Sequence, residues 1–513
     1  MVTKVKLTGI DLTIEQVYEW ATSSDKEIEI SLDEDALKRM QVSRDYVHKI
    51  VSDGKPVYGI NTGFGALSDK FIDKENLAEL QVNLIRSHCT GVGKPFNRTI
   101  SRAIMILRAN CLASGFSGIN PELVVLLLDL INHGVTPVIP EKGSVGASGD
   151  LAPLSHIAIT LIGEGKVLYK GELIPSKKAL DKIGKKSVIL GPKDGLALIN
   201  GTAVMAGLGA IAIYESTRLM KLADILATLT LDSLRGSMKA YDEDIARLKP
   251  HPGQIRVAAN LNKLLKGSEI IGSHENCGKV QDPYSLRCVP QVHGSCRQTL
   301  SHAKEVVDIE LNSVTDNPLI FPEQNKVISG GNFHGEALAF CMDYLSMGLS
   351  ELCSISERRV EKMMNPTFSD LPAFLTKDSG LNSGLMIAHV TAAALTSENK
   401  YLCHPASVDS IPTSTDKEDH VSMGVTSGRK LHEVLENTKH CLAIELLCNT
   451  QALDLGRPLR SSKALEAVHD LVRVKVPFID VDRMLSTDIE NLVELIDSFK
   501  IVETVEKIIG ELD

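Results

Sequence analysis

Residues 337–364 contain no proline, and apolar side chains fall at Leu338, Cys341, Met342, Leu345, Leu349, Leu352, Val360 and Met363. Those steps of three, four and seven lay one apolar face along a long helix. Asn365-Pro366 ends it, because proline lacks the N–H that another turn would use. A second run, 429–455, carries Leu431, Val434, Leu435, Cys441 and Leu442 and stops at Gly456-Arg457-Pro458. Helices this long bury their faces only against partners of similar length, so the chain must build a bundle. Shorter helices are expected over 301–311 and 384–400. Aromatic content is only 4%, with Trp20 the sole tryptophan, which suits packing by Leu, Ala, Val, Ile and Met.

The first 200 residues read differently. A strand-like start precedes a helix, with Thr13 and Gln16 spaced as a capping box. Helical blocks follow at 81–93, 104–112 and 123–131. Between them Val57 to Leu67 is a glycine-rich loop carrying Tyr58, suited to closing over a pocket. It is not a dinucleotide loop, because Ser68 stands where Gly-x-Gly-x-x-Gly requires glycine. Residues 163–195, rich in glycine, read as a surface hairpin plus loop. The expected fold class is mainly α: residues 1–200 form an N-terminal mixed but mostly helical domain, and 201–513 a long-helix bundle with C-terminal helices.

The formal net charge is −10, which argues against a nucleic-acid or anionic-membrane partner. Leu196 to Tyr214 approaches the length of a membrane span, but Asn200, Thr202 and three glycines interrupt it, so it reads as a buried helix. Met1 to Leu7 lacks an apolar signal core. Cys341, Cys353, Cys441 and Cys448 sit in apolar helical patterns and read as reduced core residues of a cytoplasmic protein. No His-Glu-x-x-His or Cys/His cluster appears at ligand spacing, and His274 with Cys277 is isolated, so no metal is expected.

Gly143-Ser-Val-Gly-Ala-Ser-Gly-Asp-Leu-Ala-Pro-Leu-Ser-His156 carries the most unusual chemistry. In Ala147-Ser148-Gly149 the Gly149 nitrogen can attack the Ala147 carbonyl carbon and close a five-membered ring. Losing one water from the ring, and the Ser148 hydroxyl as a second, leaves an exocyclic methylidene. Glycine reaches that strained approach cheaply, alanine does not block it, and serine supplies the leaving group. The product is an electrophile, which ordinary side chains are not. The triplet alone reads equally as a glycine-rich turn before a helix. It is no hydrolase elbow, because Asp150 stands where that motif needs glycine.

Four more stretches are polar amid apolar surroundings: Leu198 to Thr202, Val280 to Cys288, Gly330 to Glu336 and Thr415 to Gly424. Each has an ordinary reading. Asn200 suits a helix cap, Arg287 a surface ion pair, and Glu418-Asp419 a solvated first turn.

Together with Tyr-Gly-Ile-Asn-Thr-Gly-Phe-Gly at 58–65, Ser-Val-Thr-Asp-Asn-Pro-Leu at 313–319 and Gly-Gly-Asn-Phe-His at 330–334, these strings resemble the aromatic amino acid lyases that use a self-made 4-methylidene-imidazol-5-one (MIO). Within that family they are most similar to the histidine-specific ammonia-lyases, over roughly residues 50–460. The resemblance implies a bundle of the fumarase/aspartase-like type, although the Gly-Ser-Ser-x-Met-Pro loop of the fumarases is missing. It implies MIO formed from Ala147, Ser148 and Gly149, with Tyr58 as base and Tyr284 assisting. It also implies substrate contacts from His88, Asn200, Gln281, Arg287, Phe333 and Glu418, and a homotetramer sharing active sites between subunits. Ser87-His88 and Glu418 replace an apolar pair and a glutamine of the phenylalanine enzymes, which favours L-histidine, giving urocanate and ammonia. Lys417 and His389 depart from the pattern, each standing where glutamine is expected, and Lys417 is placed to pair with Glu418. The alternatives are a phenylalanine or tyrosine ammonia-lyase or aminomutase with the same electrophile, and a cofactor-free helical bundle.

Overall fold

The capping box forms as read: Gln16 N donates to Thr13 Oγ1 and Thr13 N to Gln16 Oε1, opening helix Ile14–Thr22. The computed structural model describes residues 2–24, 27–274 and 280–513; Cys277 lies outside them. The chain is mainly helical, and its strands are short. It divides into two units built from interleaved segments. One comprises Met1–Tyr214, Ala303–Asp343 and Pro405–Arg429; the other comprises Glu215–His302, Tyr344–His404 and Lys430–Asp513. A single cut near residue 200 therefore does not separate them. Four of the five boundaries fall inside the long helices Ala203–Ser233, Val289–Glu310, Glu336–Met364 and Gly424–Leu455, and the fifth, between His404 and Pro405, follows helix Met386–Leu402.

The first unit is organised by helix Arg98–Ala113, which is buried on nearly every side. Its two buried arginines hold backbone carbonyls of neighbouring segments. Arg102 donates to Ile131 O and Trp20 O, and Arg108 to Ala197 O. Helices Ile14–Thr22, Glu34–Asp53 and Pro121–Asn132 pack against it, while Leu77–His88 and Leu151–Leu161 pack on each other and on helix Asp194–Ile199. Thr3–Leu7 pairs parallel to Ile28–Leu32. The 163–195 excursion is the hairpin Lys166–Tyr169 with Glu172–Pro175, joined by Val135–Pro137, followed by helix Ser176–Lys182.

Residues 196–214 are not one helix. Helix Asp194–Ile199 ends, Asn200 to Thr202 turn, and Ala203–Ser233 begins. Packing forces the break: a Cβ on Gly201 would lie 2.3 Å from Arg108 Nη1 and 2.7 Å from Thr315 Oγ1. The turn is anchored by Lys193, fully buried, whose ammonium lies 2.8 Å from Asp316. A buried charge is tolerated only when paired in this way.

The second unit carries its own buried polar network. Asp224 lies 2.8 Å from His293 and 2.7 Å from Arg297, and accepts from Asn260. Arg359 forms a fork on Glu445, which also accepts from Ser356 and Thr230. Cys353, Cys441 and Cys448 are fully buried. By length and composition one described helix, Glu336–Met364, passes as a membrane span, yet 67% of its apolar window is buried within the protein, as in a core helix.

Candidate active site

The 143–150 loop turns on glycines in the left-handed region, Gly146 and Gly149 both at φ 71°. Neither tolerates a side chain. A Cβ on Gly149 would fall 2.3 Å from Gly201 O, and one on Gly146 2.2 Å from Ser422 Oγ. Gly149 bridges to Gly201, and Asp150 N donates to Gly201 O at 2.8 Å.

Asp150 locks the loop from the other side. Its carboxylate is fully buried and accepts Val204 N at 2.9 Å, Met205 N at 3.1 Å and the Ser144 hydroxyl at 3.3 Å. It thus caps the Ala203–Ser233 helix although it lies in another segment, and these orphan N–H groups would otherwise be unsatisfied. Burial pushes its carboxyl up to about 7, against the opposing hydrogen bonds. An acid whose pKa is raised in the fold stabilises the protein below its unfolded pKa, and that contribution is lost as pH rises to the folded value. Asp150 therefore makes stability fall between about pH 4 and 7, by at most about 1.4 kcal/mol per unit. Asp150→Asn removes that slope, so the melting-temperature difference between parent and variant is expected to shift in the variant's favour from pH 5 to pH 8. An unchanged difference refutes the assignment.

Two of the residues singled out from the sequence, Glu418 and Asn200, bond Ser148 of the triplet, and a third, His88, feels the charge of Glu418. Ser148 Oγ donates to Glu418 Oε1 at 2.8 Å, and Asn200 Nδ2 donates to Ser148 O at 2.8 Å. Asn200 is not the N-cap its sequence suits: it stands at the C-cap of helix Asp194–Ile199, its N–H donating to Leu196 O, and its Oδ1 is buried without a partner. The other Glu418 oxygen accepts from the Thr413 hydroxyl at 2.7 Å. Two hydroxyls, not Lys417, hold this carboxylate, and Lys417 is exposed. His88 Nδ1 lies 2.8 Å from Leu84 O. A carbonyl only accepts, so Nδ1 carries the proton and Nε2 presents a lone pair. Burial lowers the His88 pKa, opposed by that bond and by the charge of Glu418.

Ala147 packs with Val421 and Met423, and Met423 N donates to Val145 O at 2.9 Å. Gly335 and Gly424 both back onto Met205, which sets the turn bearing half-buried Phe333 beside the same helix start. Tyr58 is not bonded to the triplet; its hydroxyl accepts from Gly65 N within its own loop, at 3.4 Å. Gln281, Tyr284 and Arg287 belong to the second unit. There Arg287 lies over the Tyr284 ring at 4.8 Å, in and around the short helix Tyr284–Arg287. His389, also in that unit, bonds Glu357 at 2.8 Å.

Three features fit the ring-forming reading. Gly149 occupies a cradle that a Cβ would fill, the Ser148 hydroxyl is held by a carboxylate, and a buried amide oxygen lacks a partner beside them.

The chain belongs to the aromatic amino acid lyase family, whose sequence profile matches residues 12–474. Enzymes of this family are carbon–nitrogen lyases that in general depend on MIO. More narrowly, it is similar to the histidine ammonia-lyase of Myxococcus xanthus, with 48% identity over 98% of both chains. The crystal structure of histidine ammonia-lyase from Trypanosoma cruzi matches with TM-score 0.92 and 44% identity, covering 99% of this chain and 96% of that one. Tyrosine aminomutase from Streptomyces globisporus matches with TM-score 0.93 and 37% identity over the full length of both.

Proposed function

We propose that this chain deaminates L-histidine to trans-urocanate and ammonia, with MIO formed from Ala147, Ser148 and Gly149. The observation that carries the reading is the carboxylate of Glu418 on Ser148, with the bare Nε2 of His88 within its electrostatic reach. When formed, MIO would supply an electrophile that either makes the amine a better leaving group or, through the imidazole, acidifies Cβ. The chain's own residues do the rest. Glu418 and His88 accept from the two N–H groups of an imidazolium, or one of them from the single N–H of a neutral imidazole, whereas a phenyl ring offers neither acceptor a donor and a phenol offers only one. Asn200 fixes the Ser148 carbonyl through Nδ2 and offers its unpartnered Oδ1 as an acceptor. Phe333 provides an apolar wall. Tyr58 takes the Cβ proton and Tyr284 assists; a phenol must be activated for that task at neutral pH. Arg287 grips the substrate carboxylate in a fork, and Gln281 orients it.

The protein acts in the cytoplasm as a homotetramer in which subunits share active sites. The family resemblance is what supports that association.

Glu418→Gln is expected to lower kcat/KM for histidine by about 10²–10³ while any trace turnover of phenylalanine or tyrosine does not fall. Urocanate, cinnamate and coumarate absorbance report the three substrates. Cinnamate or coumarate from the parent at a rate matching urocanate would instead favour the aromatic-enzyme alternative, with its structural likeness to the tyrosine aminomutase.

A further inference from the structure

His334, Glu336 and His420 bring one ligand atom each to within 4.8 Å of one another, the one such histidine–carboxylate cluster among the described residues. No sequence spacing announces it, since the first two and the third lie more than eighty residues apart. The fold assembles it: His334 and Glu336 sit in the turn opening helix Glu336–Met364, and His420 follows Glu418 in the segment that packs against the 143–150 loop. All three belong to the first unit.

The hydrogen bonding calls for a cation there. His334 Nε2 lies 3.3 Å from His420 O, and a carbonyl only accepts, so Nε2 is the protonated nitrogen. His334 Nδ1 then turns a lone pair toward Glu336 Oε2, 3.9 Å away. That oxygen is shielded from solvent and accepts no hydrogen bond. Two electron-rich atoms face each other across a gap too wide for a hydrogen bond and suited to an ion between them. The imidazole of His420 lies alongside, its ring centroid 5.7 Å from that of His334.

We propose that His334, Glu336 and His420 bind a divalent transition-metal ion of the zinc class. Two imidazole nitrogens with one carboxylate oxygen select borderline ions over magnesium or calcium, which prefer all-oxygen sets. An ion about 2.0–2.2 Å from each donor draws the three together by roughly 1 Å or more. Solvent completes its shell, because His420 is exposed. The ion ties the turn bearing Phe333 to the segment bearing Glu418, so its occupancy regulates how firmly those two side chains are held.

The binding itself does not depend on what reaction the protein catalyses, so it is tested without turnover. Cobalt(II) is titrated into the full-length protein, followed by visible absorption and by metal analysis after dialysis, alongside His334→Ala, His420→Ala and Glu336→Gln. The expected result is one ion per chain, ligand-field bands without thiolate charge transfer, and binding at least ~10-fold weaker in each variant. His420 is exposed, so its variant is expected to melt like the parent and separates loss of a ligand from loss of fold. No stoichiometric uptake by the parent, or uptake carrying a thiolate band and unchanged in all three variants, would overturn the proposal.

Discussion

Replacing Ser148 with alanine is expected to reduce histidine turnover at least about a thousandfold, on the order of 4 kcal/mol of transition-state stabilisation, while the protein keeps its fold. The Ser148 hydroxyl makes one hydrogen bond in the structure, at 2.8 Å to Glu418. Removing it leaves Glu418 with Thr413 and half in solvent, a loss of about 1 kcal/mol. Stability therefore barely changes, whereas the only leaving group in the triplet is gone. Intact mass and activity report the two halves of this prediction separately. The variant is expected to lack the second dehydration, with a melting temperature close to that of the parent. A Ser148→Ala protein that turns over histidine at the parent rate would refute the covalent chemistry.

Gly149→Ala fails in a different way. Alanine in the left-handed region costs roughly 1–2 kcal/mol by itself. Here the new Cβ also meets three backbone atoms of Gly201, at 2.3, 2.5 and 2.7 Å. Backbone cannot swing aside as a long side chain does, so the Gly149–Gly201 bridge and the Asp150 N bond to Gly201 O both open. The expected result is a destabilisation of about 2–4 kcal/mol together with an unprocessed mass and no activity. Gly171→Ala is the matched control: its φ is 82°, but nothing lies within 4 Å of the added Cβ, so it carries the conformational cost alone and keeps activity. Equal melting temperatures for the two variants would show that the cradle around Gly149 is not as tight as described.

The long helices were legible because their periodicity is local. Residues 337–364 are helix Glu336–Met364, and the run read from 429 begins only slightly earlier, at Gly424, because a glycine gives no apolar signal. The 301–311 stretch is the end of helix Val289–Glu310; its first turns, with Pro290, Gly294 and Ser295, contain too many breakers to be read as helix. The break at Asn200 to Thr202 was hidden for the opposite reason, since it is imposed by Arg108 and Thr315 rather than by local propensity. Site residues followed the same division. Ser148 stood out through the chemistry of its triplet, Asn200 and Glu418 as polar residues in apolar company, and His88 only through the family resemblance. Asp150 stood in plain view as the residue that spoils a hydrolase motif. Nothing near it in sequence shows that it caps a helix beginning at Ala203. The His334, Glu336 and His420 cluster needed the fold, because ligands from separate segments leave no spacing to read.

The intact mass of the freshly purified, full-length protein tests the central claim most directly. Ring formation at positions 147–149 predicts a species two waters lighter than the 55.7 kDa of the encoded chain. A preparation that produces urocanate from histidine at the full, undehydrated mass would contradict it.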